Sequence, residues 1–306
     1  VTGIIFDLAD FSTADGPGIR TVIFFKGCPL SCRWCSNPES QHFHPEPLYH
    51  SERCLRCQKC LDACPLEAIR VREDLLIDRT RCRDCTSHPC IEACPNDALK
   101  LAGRVWSSEE VMAKILPQRL FYQNSGGGIT FSGGEPMAQP HFAFALAAQI
   151  KDAGLHLGLE TCGWFTSELD FDRFQLFDFI YFDLKHFTSD LHQTCTGDGN
   201  EPIIRNLRSL CQSTGPKRIT LCLPLIPGVN DQEPFFHWII GLAKELGITQ
   251  SRIIPYHEFG RTKYAALGRN YPCDSLRELT DYQITTFATL LRTAGISCEI
   301  VGRDHA

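Results

Sequence analysis

Thr21–Ser40 reads TVIFFKGCPLSCRWCSNPES, a strand-like apolar run leading into a loop with three cysteines. Cys28, Cys32 and Cys35 are spaced C-x3-C-x2-C. A cubane iron–sulfur cluster takes four ligands, and so does a structural zinc. Three thiolates in one loop are one short. The fold and the chemistry turn on what fills the fourth place: a distant cysteine, another zinc ligand, or something that is not protein.

The composition narrows the choice. The chain has 306 residues, 43% of them hydrophobic, enough for one large α/β domain and a small module. Net charge is −6 with both signs scattered, so there is no basic stripe of the kind nucleic acid requires. No apolar run is long enough to span a membrane, and the first residues lack the pattern of a signal peptide. Cysteine is the anomaly, with 17 in the chain and 11 of them between Cys28 and Cys94. An odd count in tight clusters points to metal ligation in a reducing cytoplasm rather than to disulfides. The other six, Cys162, Cys195, Cys211, Cys222, Cys273 and Cys298, are dispersed and read as small packing residues.

An internal repeat follows a polar stretch, Asn37–His50, that reads as a linker. RCLRCQKCLDACPLEAI from Arg53 matches RCRDCTSHPCIEACPNDAL from Arg81. Each copy is too short to bury a core of its own. The first has the C-x2-C-x2-C-x3-C-P spacing of bacterial ferredoxins, whose fourth cysteine serves the other cluster when two are present. Cys54, Cys57, Cys60 and Cys94 are therefore assigned to one 4Fe–4S cluster, and Cys82, Cys85, Cys90 and Cys64 to a second. Two zinc sites are the alternative, although zinc favours two separated C-x2-C pairs. His88, in the longer second gap, is read as a loop residue and not a ligand.

After Leu101 a βα rhythm takes over. Ser107 and Glu110 form a capping box opening a helix. Strands are expected at Thr21–Phe25, Gly128–Phe131, Leu155–Glu160, Phe179–Asp183, Arg218–Leu225 and Arg252–Tyr256, with a short one closing the chain. The unusual residues follow these strands, and a parallel barrel-like sheet gathers such strand ends on one face. The fold class is therefore α/β: a partial (β/α)6 TIM-like barrel over 1–47 and 101–306, with a ferredoxin-like two-cluster insert at 48–100.

The cysteine loop with Trp34 before its last cysteine, followed beyond the next core strand by SGGEP (Ser132–Pro136), resembles the radical S-adenosylmethionine superfamily. ADGPGIRTVIFFKGCPLSCRWCSNPES, SGGGITFSGGEP, LETCG, YFDLKH and PYHEFGRTKY, in that order, resemble the activating enzymes of glycyl radical enzymes, the pyruvate formate-lyase activase family. The insert resembles that of the subgroup carrying extra clusters. The resemblance implies that Cys28, Cys32 and Cys35 hold a 4Fe–4S cluster with one open iron, chelated by S-adenosylmethionine. It implies reductive cleavage to methionine and a 5′-deoxyadenosyl radical, which takes a hydrogen from a glycine Cα of the partner enzyme.

The same resemblance assigns roles. Gly133, Gly134 and Glu135 would hold the methionine amine. Asp183 and Lys185 would hold ribose and carboxylate, with Lys185 counted as catalytic beside the three cysteines, and Asn37 and His257 would face the cofactor. Glu160 and Thr161, with Asp183, would line a monovalent-cation site. Asp15, Gly16 and Arg20 would meet the partner's glycine loop. The implied donor is flavodoxin or a ferredoxin, and the implied setting is an anaerobic cytoplasm with the protein as a monomer. One departure stands out: the family has an arginine where this chain has Cys222, which leaves Lys185 as the main cation for the cofactor carboxylate. Two rival readings are a radical enzyme acting on a small molecule or another peptide, and an iron–sulfur electron carrier with the barrel as a scaffold.

Overall fold

The computed structural model describes residues 1–72, 74–166 and 168–302. Its centre is a nine-stranded sheet. In chain order the strands are β1 (Thr2–Ser12), β2 (Arg20–Phe25), β3 (Arg104–Ser107), β4 (Gly128–Gly133), β5 (His156–Thr161), β6 (Phe179–Asp183), β7 (Ile219–Leu225), β8 (Gln250–Pro255) and β9 (Ser297–Ile300). Their spatial order is β9-β8-β7-β6-β5-β4-β2-β1-β3. From β2 through β4 to β9 every pairing is parallel. β1 runs antiparallel to both β2 and β3.

Six strand–crossover units and a final strand thus make an open parallel sheet, with an antiparallel hem at one edge. The hem was not legible in the sequence. β1 alternates in burial only weakly, and its polar residues (Asp7, Asp10, Ser12) hide the pattern. The parallel strands bury both faces and read as apolar runs. Helices Pro140–Asp152, Glu201–Thr214, Glu233–Leu246 and Asp281–Thr293 lie in the crossovers. The expected capping box at Ser107 and Glu110 is present, with both reciprocal bonds formed. Although the end strands do not pair, the sheet curls enough for Arg252 on β8 to donate from Nη2 to the Ala14 carbonyl at 2.9 Å. Ala14 belongs to the loop between β1 and β2, so this bond reaches across the open side.

The stretch expected to be a linker is instead packed. Pro38, Glu39 and Ser40 are buried, and Glu46–Tyr49 forms a strand paired with Leu99–Ala102. Its polar residues have internal partners: Lys26 donates to the Glu39 carbonyl at 2.6 Å, and Arg269 pairs with Glu46 at 2.8 Å. Charge pairing holds this segment down, and composition alone does not reveal it.

The insert has almost no apolar core: Cys60, Ile69, Cys90 and Leu99 are the residues at its centre. Its two halves repeat in backbone detail. Gln58 and His88, each two residues before a cysteine, have φ of 62° and 47°. Glu67 and Asp97, each three residues after one, have φ of 47° and 51°. Left-handed backbone at non-glycine residues is costly, and it recurs at matching positions of the two halves. Arg79 ties the insert to the barrel through the carbonyls of Pro47 (2.7 Å) and Ala266 (3.1 Å). Among the described residues no helix is long and apolar enough to cross a membrane.

Candidate active site

The cysteine loop is fixed by backbone bonds. Gly27 N–H donates to the Ser40 carbonyl at 2.7 Å, and the N–H groups of Gly134 and Glu135 donate to the carbonyls of Phe25 (2.8 Å) and Gly27 (2.9 Å). SGGEP is thereby stitched to the start of the cysteine loop. The contact demands glycine: a Cβ on Gly134 would lie 2.3 Å from the Gly27 oxygen, and Gly133 has φ of +110°.

A cavity of about 310 Å³ opens at the C-terminal ends of the parallel strands. Cys28, Cys32 and Cys35 line it, with Asn37, Gly133, Gly134, Glu160, Thr161, Asp183, Lys185 and His257. Residues scattered over more than two hundred positions converge because each follows or ends a strand of one curled sheet. Lys185 is nearly buried and its ammonium donates to Asp183 Oδ2 at 2.7 Å. Burial opposes its charge, but Asp183 and the nearby sulfurs of Cys32 and Cys162 outweigh that and hold it protonated. The Glu160 carboxyl is pushed up to about 8 by burial and then by Asp15. It accepts a bond from Ser132 Oγ at 2.6 Å. The His257 imidazole is held below its usual pKa by burial, and it stacks on Phe259 at 4.2 Å. Asn37 Oδ1 accepts from Lys263 at 2.6 Å.

Three of the expected residues make contacts of their own within the protein. Glu135 does not line the cavity; its carboxylate is fully buried and accepts from Met137 N (3.0 Å), Thr161 Oγ1 (2.8 Å) and Cys162 N (2.8 Å). It ties the ends of β4 and β5 together. The Thr161 hydroxyl donates to Glu135 and accepts from the Gly163 N–H at 2.9 Å. Arg20, expected at the partner's glycine loop, has no exposed surface. Its guanidinium donates to Thr130 Oγ1 (2.6 Å) and to the carbonyls of Pro17 (3.0 Å) and Ile129, and stacks over Phe179. It braces the DGPG turn from inside. Gly16, at φ +129° against the Phe179 ring, gives that turn its shape, and Asp15 reaches the cavity.

The thiols fit clusters better than single ions. Tetrahedral zinc brings its sulfurs within about 4 Å of one another. Among the described residues the only trio of His, Cys, Asp or Glu with all ligand atoms within 4.8 Å is His42, His44 and Glu46. Arg269 and Lys26 already neutralise Glu46 there. In the insert, Cys54, Cys57, Cys60 and Cys94 line one cavity of about 180 Å³. Around Cys82 and Cys90 the nearest thiols include Cys64 and Cys85. These are the two sets of four that the repeat suggests. His88 is buried, with Nε2 unpartnered among the described residues.

Among the cavity residues not singled out in the sequence as binding groups are Cys162, Tyr181, Arg252 and Tyr256. Arg252 was detectable in principle, since it shares a face of its strand with Ile254, two residues on.

Residues 92–238 match the radical SAM superfamily, residues 14–69 a 4Fe-4S single cluster domain, and residues 46–95 a 4Fe-4S dicluster domain. The chain is 40% identical to the isethionate sulfite-lyase activating enzyme of Oleidesulfovibrio alaskensis over 93% of each chain. It is 36% identical to the indoleacetate decarboxylase activating enzyme of Tractidigestivibacter scatoligenes, over 97% of this chain and 96% of that one. A radical SAM methyltransferase from Sphaerobacter thermophilus shares the fold at a TM-score of 0.53 and 16% identity, over 97% of this chain and 76% of that one. With its cysteine loop, cavity and insert all within the matched length, the chain belongs to the activating enzymes of glycyl radical enzymes in the radical SAM superfamily.

Proposed function

We propose that Cys28, Cys32 and Cys35 hold a cluster whose open iron faces the cavity, and that the cavity seats S-adenosylmethionine against it. When bound, this pair supplies reductive carbon–sulfur cleavage and a radical that removes a hydrogen from a glycine Cα of the partner. The protein's part is to bind, orient and exclude water. The backbone at Gly133 and Gly134 receives the methionine end close to the cysteine loop. Lys185 carries a buried positive charge for the carboxylate. Asp183 offers an acceptor, and His257 and Asn37 line the adenosyl end. Glu160, Asp183 and Asp15 place three carboxylates beside one another, which supports a monovalent cation among them. The single observation that carries the reading is the convergence of these strand-end residues on the three-cysteine loop.

The insert, taken as 48–100, would bring the total to three 4Fe–4S clusters. A second cavity, about 570 Å³, is lined by both Cys28 and Cys82. This favours electron relay through the insert over a purely docking role, with the Cys82 cluster nearer the catalytic loop. Leu55 and Val71, both exposed, flank the cavity of the other four cysteines and give a flavodoxin- or ferredoxin-type donor an apolar landing point. One chain supplies every group named, so a monomer is sufficient. The 17 unbridged cysteines suit a reducing cytoplasm.

Anaerobically reconstituted protein, given dithionite and S-adenosylmethionine, should form 5′-deoxyadenosine and contain about 12 irons per chain. An electron carrier with a scaffold barrel would hold iron and form no 5′-deoxyadenosine. About four irons per chain would contradict the insert assignment.

A further inference from the structure

β7 and β8 pair in parallel with Cys222 directly opposite Arg252. Both side chains line the main cavity, at the same level of the sheet. Cys222 is small, uncharged and 2% exposed. Arg252 is 6% exposed, an uncommon place for a guanidinium without a purpose. It lies over the Tyr181 ring at 4.3 Å. Its Nε is 2.9 Å from Glu299 Oε2, and Glu299 sits toward the solvent side of the pair at 37% exposure. Nη2 donates to the Ala14 carbonyl at 2.9 Å and to Glu299 Oε1 at 3.4 Å, and Nη1 has no hydrogen-bond partner among the described residues.

Asp15, Glu160 and Asp183 are the acids of the cavity, and Lys185 and Arg252 its strong bases. Lys185 spends one of its three N–H donors on Asp183 at 2.7 Å. Arg252 is a second cation with a donor to spare, at Nη1, and it stands beside the short Cys222 side chain. A planar guanidinium fork matches a carboxylate better than an ammonium does.

We propose that Arg252 binds the carboxylate of S-adenosylmethionine, supplying from β8 the positive charge that position 222 on β7 does not carry. The proposal rests on the S-adenosylmethionine reading above. It makes Arg252 a cofactor-binding residue and Cys222 the gap that admits the carboxylate. The contrasting role is a strut, in which Arg252 only ties the Ala14 loop to Glu299 across the open side of the sheet.

The test is equilibrium binding to cluster-reconstituted protein of S-adenosylmethionine and of its decarboxylated analogue, which keeps the amine and sulfonium. Arg252→Gln should weaken S-adenosylmethionine by about 10- to 100-fold, the range for a hydrogen bond to a charged group. The analogue should change by less than about threefold, since it has no carboxylate to lose. Arg252→Lys should fall between, and Cys222→Arg in the Arg252→Gln background should restore most of the affinity. Iron content and melting temperature are read on each variant. Equal weakening of both ligands, or no weakening of either, would overturn the proposal and leave Arg252 a strut. Failure of the wild-type protein to bind S-adenosylmethionine at all would instead overturn the cofactor reading beneath it.

Discussion

The Lys185 ammonium meets Asp183 Oδ2 at 2.7 Å, in a cavity that the three-cysteine loop also lines. The two residues leave the end of β6 two positions apart, so the carboxylate positions the amine before any ligand arrives. Replacing Lys185 with alanine should weaken S-adenosylmethionine binding by about 10- to 100-fold, with the iron content of the protein unchanged. Binding by the variant at wild-type strength would remove Lys185 from the site.

The insert's cross-ligation predicts non-additive iron loss. Cys57→Ala and Cys94→Ala should each cost the same cluster, about four irons, and the double variant should lose no more than either one. Cys57→Ala with Cys85→Ala should lose about eight irons. Equal iron in the two double variants would refute the assignment of Cys94 to the first repeat's cluster.

Gly134 is where packing and chemistry meet. An added Cβ at 2.3 Å from the Gly27 oxygen cannot be accommodated by side-chain rotation, because both partners are backbone. Gly134→Ala should destabilise the fold by about 1–3 kcal/mol, seen as a lower melting temperature, and should displace the loop that faces the cofactor. A variant with unchanged melting temperature would show the stitch to be looser than these bonds imply.

Glu160 gives the cavity a pH signature. Its carboxyl is raised from the usual 4.5 to about 8, through burial and Asp15. The folded protein therefore holds this proton more tightly than the unfolded chain does. Its contribution to stability is full below the unfolded value and is lost as pH rises through about 8. Between about pH 5.5 and 8.5 the wild-type melting temperature should fall more than that of Glu160→Gln, which cannot ionise. Potassium should stabilise the wild-type protein more at the upper end of that range, where the carboxylate is charged. Parallel pH profiles for the two proteins would contradict this.

The parallel strands and both cysteine clusters were legible because their signals are local: apolar runs of strand length, and thiols at fixed spacing. What was not legible depends on partners far away in the chain. Glu39 and Glu46 make a polar stretch look like a linker until Lys26, Lys263 and Arg269 are seen to neutralise it. Arg20 looks like a surface residue beside DGPG until Thr130 and Phe179 close over it. Glu135 has the right sequence position to meet a cofactor amine, but its side chain turns the other way, into the junction of β4 and β5. The strand face of Arg252 can be read from the sequence, but its place beside Cys222 lies in strand register, which the sequence does not give.

The most direct measurement of the central claim follows one hydrogen atom. A glycyl radical enzyme partner, drawn from a panel that includes an isethionate sulfite-lyase, is prepared with glycine deuterated at Cα. It is mixed anaerobically with the reconstituted chain, reductant and S-adenosylmethionine. Deuterium should appear in 5′-deoxyadenosine, and the glycyl radical signal, a doublet with ordinary glycine, should collapse toward a singlet. 5′-Deoxyadenosine that forms without deuterium, and with no glycyl radical on any partner in the panel, would contradict hydrogen abstraction from a partner glycine.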